Sequence, residues 1–483
     1  MLVRLMWVRS YNYDEFSHAH LAWLVSVGEV PYRDFAANHL PFFWILLAPL
    51  IRLLPQEPGT LLVLRAVALA CNGVFIGCLG ALICLEQPAR QRLWAAACFG
   101  LVVFSPPVMH FLIEFRPDAP ANALLFGGLL LWWLPGGRNK LVAFVSGICT
   151  GAALLINTKL GLFPLLLAAV ALAAQGRDLR RVWPPALAAC FGFGIAVLGG
   201  IVLMAVMKIP LDRAWEMAVL YNAAAERAQA SGFGLAHALL RQPVCLGYVL
   251  AGLTAWAAGL LLQRRPPGAL AVSILVFLVL ELAMTHRPWK QYLGSWMLLA
   301  AYFPACGLPM LAARLGGNGR VGLAVCLLGL VAAEAAFTNM ADPDGVRGID
   351  RLTQERRIAW LLRHVPPDGY VVATFDLHPV FRRDTFFKVV SDIMPYKQDG
   401  LEQLMPSLAP GPYSGHFGRP GYDEDLRLRP PSLIMMRGLY SEAQIRAVVD
   451  YLNQTSSDYE QRTVPDSAVR VVVRRSADAT GTD

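Results

Sequence analysis

Long apolar runs separated by short polar breaks fill the first two-thirds of the chain. Ten such runs stand out, at about 61–85, 93–109, 120–134, 141–156, 160–175, 184–207, 244–262, 269–285, 291–312 and 320–337. A helix of roughly 20 apolar residues crosses a bilayer core about 30 Å thick, fewer when polar flanks snorkel, so each run is predicted to span a membrane. The loops between them alternate in kind. One set is short and basic: Arg90/Arg92, Arg138/Lys140, Arg177/Arg180/Arg181, Arg264/Arg265 and Arg314/Arg320. The other set holds Glu114–Asp118, Asn157–Lys159, Lys208–Arg241 and His286–Gln291. The positive-inside rule puts the basic set in the cytoplasm and the other set outside.

The same parity places residues 12–60 outside as a first outer loop. Within it Leu40–Leu54 is apolar but short, and Pro41, Pro49 and Pro55 punctuate it. It is therefore predicted as a helix lying along the interface rather than a span. An outer Tyr13–Asp14 needs a helix before it. Met1–Arg9 is too short and is interrupted by Arg4 and Arg9, so the chain reads as starting downstream of its true start, with a truncated first helix.

After Phe337 the pattern changes. Residues 341–483 hold 20 of the 34 Asp and Glu. Val371–Phe375 and Val469–Val473 read as strands, and Gln354–His364 and Ser441–Leu452 as amphipathic helices. The tail Ser476–Asp483 is expected to be disordered. The fold class predicted is a polytopic α-helical membrane protein with about 10–11 spans. Residues 1–340 form its transmembrane part, and 341–483 a small α/β extracytoplasmic domain on the same outer face as the polar loops.

Composition supports this and narrows the function. Hydrophobic residues make up 56% of the 483 and charged ones only 16%, below the ~25% of a soluble domain. The net charge of +8 is spread over loops between apolar runs, which argues against nucleic-acid binding. The nine cysteines lie in or beside apolar runs without CxxC spacing, which excludes a disulfide framework or a zinc site as a main theme. Nucleotide-cradling loops are absent as well.

Four polar clusters could carry chemistry. In the first outer loop the adjacent carboxylates Asp14 and Glu15 are costly beside a membrane unless they face water or a cation. They fit either an interface-anchoring loop or the mouth of a cavity, as general base or metal ligand. Asp34 can pair locally with Arg33. The second cluster is His110, Glu114, Arg116 and Asp118, where Pro117 breaks the helix and fixes a carboxylate at the membrane boundary. Lys159 either snorkels or meets an anion. In His286–Tyr292, Arg287 and Lys290 could hold a phosphate with Trp289 or Tyr292 against a sugar, or the group could be an interfacial aromatic belt.

Asp14-Glu15, Gly28-x-x-Pro31-Tyr32-Arg33-Asp34-Phe35 and Asn38-His39-x-Pro41 together resemble the first outer loop of bacterial GT-C glycosyltransferases. The closest subgroup looks like the lipopolysaccharide-core galacturonosyltransferases and protein O-mannosyltransferase-like proteins. Arg116-Pro117-Asp118, Lys159 and Gln291-Tyr292 fall where that family keeps its second loop, its basic residue and its late loop. The resemblance covers about residues 11–310 and departs from the family at His39-Leu40-Pro41, where some relatives have a Lys-Pro step.

The resemblance implies an inverting transfer from a polyprenyl-phosphate sugar donor on the periplasmic face of a bacterial inner membrane. The acceptor would be a glycan, lipid or protein. Asp14 would be the catalytic base and Asp118 the second carboxylate. Glu15, Tyr32, Arg33, His39, Arg116, Lys159, Arg287, Lys290 and Tyr292 would bind donor phosphate or substrate. A divalent cation, magnesium or manganese, would sit at Asp14 and Asp118 if one is used. A transporter or flippase of polyprenyl-linked sugars explains the helices equally well but not the one-sided polar clusters, since alternating access needs a midplane site. A non-catalytic membrane scaffold is a third option.

Overall fold

The computed structural model describes residues 2–35, 37–134, 139–166, 168, 179–222, 234–264, 267–285, 290–314, 350–373, 377–385, 422–436 and 442–475. The predicted span 320–337, most of the end of 160–175, and the tail from 476 lie outside the described residues.

The N-terminal part is built from helices. They run α1 (Leu2–Val8), α2 (Tyr13–Ser26), α3 (Phe42–Leu53), α4 (Gly59–Glu86), α5 (Arg92–Val103), α6 (Pro106–Ile113), α7 (Asp118–Trp133) and α8 (Lys140–Ile156). After a short 3-10 turn, Thr158–Gly161, come α9 (Leu179–Val206), α10 (Leu211–Trp215), α11 (Gly234–Leu240), α12 (Pro243–Gln263), α13 (Ala269–Met284), α14 (Lys290–Ala300) and α15 (Tyr302–Ala312). Among the described residues, Gly59–Glu86, Trp183–Val206, Pro243–Gln263 and Leu293–Ala312 are long and apolar enough to cross a membrane. Close backbone approach needs missing side chains: Gly147 of α8 and Gly192 of α9 face the backbone of Ala189 and Phe144, where a Cβ would overlap.

The expected span 93–109 is broken in the middle, its two halves together apolar enough to cross a membrane. It is a bent pair, α5 and α6, turned by 78°. Pro106 and Pro107 start a new helix, and Ser105 before them is extended at φ −69°, ψ 144°, as a residue preceding proline prefers. The 12-residue α3 is about 18 Å long, too short to span. Phe42, Phe43, Trp44, Leu47 and Ile51 are buried on one side of it, and Leu46 and Leu53 are exposed.

The C-terminal part contains α16 (Arg351–Arg363), α17 (Tyr422–Leu428), α18 (Glu442–Thr455) and strands β1 (Tyr370–Val372), β2 (Arg383–Asp384), β3 (Pro431–Ile434), β4 (Tyr459–Thr463) and β5 (Arg470–Arg474). The sheet order is β2-β1-β3-β5-β4. β1 pairs in parallel with β2 and β3, and β5 runs antiparallel to β3 and β4. Val371, Leu433, Val471 and Val473 are buried beneath Leu361 of α16.

This region is docked on the N-terminal segment. The Arg351 Nε–H donates to the Trp7 carbonyl at 2.6 Å. The Tyr11 N–H donates to Gln354 at 2.7 Å, and the Tyr11 hydroxyl donates to Glu355 at 2.7 Å. Arg383 pairs with Glu29 at 2.9 Å. A shared core runs from Phe16, Ala19 and Trp23 of α2 to Val380, Phe381 and Leu426.

Candidate functional site

Helix α2 begins with a capping box. The Asn12 side chain accepts from the Glu15 N–H, and Glu15 accepts from the Asn12 N–H, both at 2.9 Å. Successive residues of a helix are turned by about 100°, so Asp14 and His18 share one face while Glu15 and His20 point elsewhere. The three directions have three different partners.

The Asp14 direction meets the segment that joins α6 to α7. Arg116 forms an ion pair with Asp14, and its Nε–H donates to Asp118 at 3.1 Å. Asn157, between α8 and the 3-10 turn, donates to the other Asp118 oxygen at 2.7 Å. Asp118 is the first residue of α7, where the helix dipole favours an anion. The side chains of Asp14 and Asp118 are 25% and 23% exposed and that of Arg116 only 9%. Two carboxylates from segments a hundred residues apart thus open to solvent on either side of one buried guanidinium.

His18 lies one turn along. Its Nδ1 accepts from the Trp44 indole N–H at 3.3 Å, and its ring lies 5.6 Å from that of His39. Burial, then the neighbouring His39 and Arg116, push its pKa well below the ordinary 6.5. It is a neutral imidazole whose proton sits on Nε2. His39 is thus brought beside the residue one turn along α2 from Asp14.

Glu15 does not. Its carboxylate is buried under α4, where Arg65 donates to both its oxygens at 2.6 and 2.7 Å and the Phe115 N–H donates at 3.2 Å. Burial alone would raise its pKa, but the charge and hydrogen bonds of Arg65 hold it below the usual carboxylate value. The expectation that Glu15 binds substrate is corrected: a residue adjacent to Asp14 on a helix faces a different neighbour.

Tyr32 is corrected in the same way. Its ring is buried, its hydroxyl donates to the His39 carbonyl, and its backbone adopts φ 62°. It shapes the loop that carries His39, with burial raising its pKa. Arg33 is 51% exposed and pairs with its neighbour Asp34 at 2.7 Å, the local option open from the sequence. Glu114 leaves the second cluster for Arg9, at 3.0 Å.

Lys159 is exposed on the 3-10 turn beside Asn157. It shares an electrostatic neighbourhood with Asp118 and Glu281 of α13. Arg287 lies outside the described residues, as do the side chains of Lys290 and Tyr292.

Sequence reasoning missed Arg65, Asn157, His18 and Glu281. The i, i+4 spacing of Asp14 and His18 was the one available signal. Glu281 stands out late: its Oε2 is buried without a hydrogen-bond partner among the described residues. A cavity lined by Trp23, Ser26, Ile51, Arg52 and Gln56 lies at the other end of α2, about 18 Å along the helix from Asp14, and takes no part in this site.

No protein-family model matches the sequence, and neither does any curated protein. Among solved structures, the chain is similar to ArnT from Cupriavidus metallidurans bound to undecaprenyl phosphate. The two share 14% identity and a TM-score of 0.60 over 100% of this chain and 97% of that one. The apo form of the same protein gives a TM-score of 0.58 over the same shares, again at 14% identity. With its apolar helices and small C-terminal sheet, the chain is a multi-pass membrane protein that shares the fold of ArnT.

Proposed function

We infer that the chain is an inverting glycosyltransferase that moves a sugar from a polyprenyl-phosphate donor to an acceptor on the periplasmic face of a bacterial inner membrane. The observation that carries this is the meeting of Asp14, Arg116 and Asp118 in a fold shared with a protein crystallised with undecaprenyl phosphate.

In this reading a carboxylate oxygen of Asp14 takes the proton of an acceptor hydroxyl. The hydroxyl oxygen attacks C1 of the sugar from the face opposite the phosphate. The C1–O bond breaks, and its electron pair leaves with the polyprenyl phosphate. A positioned general base contributes about 10²–10⁴-fold. Arg116 fixes the Asp14 carboxylate and carries the positive charge that lets Asp118 stand beside it. Asn157 orients Asp118 toward the acceptor. Lys159 and His39, with Arg287 and Lys290, would meet the charge that develops on the departing phosphate, and Tyr292 would lie against the sugar.

A magnesium or manganese ion at Asp14 and Asp118 does not fit this donor set. Arg116 already bridges the two carboxylates, and Asn157 takes the remaining oxygen of Asp118.

The test is a deletion strain compared with its complement by mass spectrometry of envelope lipids and glycans. Loss of one sugar from an acceptor, restored by wild type but not by Asp14→Asn, supports the transferase. Unaltered acceptors with donor lipid redistributed between the two leaflets would replace it with a flippase.

A further inference from the structure

On the face of α2 turned away from Asp14, His20 meets two residues of the C-terminal region. The His20 Nε2 lies 3.0 Å from one oxygen of Asp384, and the His378 Nε2 lies 2.7 Å from the other. Both imidazoles are fully buried, and their ring centroids are 4.4 Å apart. The three side chains can each offer a ligand atom, all within 4.8 Å of one another.

The tautomer of His20 is fixed by a fourth group. Its Nδ1 lies 2.5 Å from the Val380 carbonyl oxygen. A carbonyl only accepts, so Nδ1 carries the proton. In the neutral ring Nε2 then presents a lone pair to a carboxylate oxygen, a conflict removed either by a proton on Nε2 or by a cation bound between the two. A backbone carbonyl on the outer nitrogen is also the arrangement that orients metal-bound histidines and raises their basicity.

We propose that His20, His378 and Asp384 bind a divalent ion of the zinc class that fastens the C-terminal sheet region to α2. Two imidazole nitrogens and the two oxygens of one carboxylate supply the four donors of a closed site, and imidazole favours zinc over magnesium or calcium. The ion's positive charge resolves the lone-pair conflict at His20. The site lies about 9 Å along α2 from Asp14 and on another face, so its role is structural. It does not depend on the transferase reading.

The experiment uses tag-free, full-length protein in detergent. Wild type should retain one zinc per chain by elemental mass spectrometry. It should lose thermal stability on chelation and regain it with added zinc. Cobalt(II) added to the stripped protein should give the visible bands of a tetrahedral ion. His20→Ala and His378→Ala should lose both the zinc and the cobalt bands, while His364→Ala, outside the trio, keeps them. Wild-type protein that holds no stoichiometric metal and gains neither stability from zinc nor cobalt bands would overturn the proposal. The three residues would then be a hydrogen-bonded cluster only.

Discussion

Arg65 of α4 grips Glu15 of α2 through two hydrogen bonds of 2.6 and 2.7 Å, with the Arg65 side chain 0% and the Glu15 side chain 1% exposed. The remaining N–H groups of Arg65 go to the carbonyls of Met6, Arg9 and Ser10, so all five donors of the guanidinium are used. Breaking one half of a buried pair leaves an uncompensated charge and costs about 3–5 kcal/mol. Arg65→Met should destabilise more than Glu15→Gln, because it also frees three carbonyls. Thermal unfolding followed by tryptophan fluorescence checks the order; equal, small losses would show that the pair is replaceable.

Asp14→Asn should lower kcat by about 10²-fold or more while leaving unfolding unchanged, since an amide keeps the shape but takes no proton. Asp118→Asn should cost less, because it disturbs orientation rather than the base. Turnover of both variants on a defined lipid-phosphate donor separates the roles, and near-wild-type turnover in Asp14→Asn would move the base to Asp118.

Arg116→Lys keeps a positive charge but not the planar fork that reaches two carboxylates at once. The variant should lose at least tenfold in kcat/KM, about 1.4 kcal/mol, with its fold retained. Full activity in the lysine variant would mean that charge alone suffices there.

His18 gives a pH signature. Its pKa is depressed in the fold by burial and by His39 and Arg116. The unfolded chain therefore binds more protons below the ordinary value of 6.5, and stability rises with pH through that window. The melting temperature of the wild type should fall as pH drops below about 6.5. His18→Gln should flatten the slope; an unchanged slope would assign it to other groups.

Loop-charge parity predicts that the C-terminal region is periplasmic. Alkaline phosphatase fused after Asp483 should be active, and a stable but inactive fusion would invert the topology.

The apolar helices and two of the five C-terminal strands, near Val371 and Val469–Val473, were legible because each is written locally, as a run or an alternation, and Asp14, Arg116 and Asp118 stood out as charges beside a helix break. What was not legible depends on rotation and on distance along the chain. Asp14 and Glu15 are equivalent in sequence, and only their 100° separation on α2 sends one to solvent and the other to Arg65. Arg65 sat unnoticed in an apolar run because its partner comes from another segment. His20 and Asp384 are 364 residues apart, and no spacing rule joins them.

The docking of α16, Val380 and Asp384 on residues 7–29 also fixes an order of assembly. These contacts join residues 343 to 364 positions apart. At about 5–20 residues per second, synthesis of the later partners trails the earlier ones by roughly 20–70 s. During that interval α2 is already made, yet Tyr11, His20 and Glu29 lack the groups that will hold them. The segment bearing Asp14 is thus among the first made and the last to be secured. Premature termination before Arg383 would leave His20 and Glu29 of this segment without the groups that hold them.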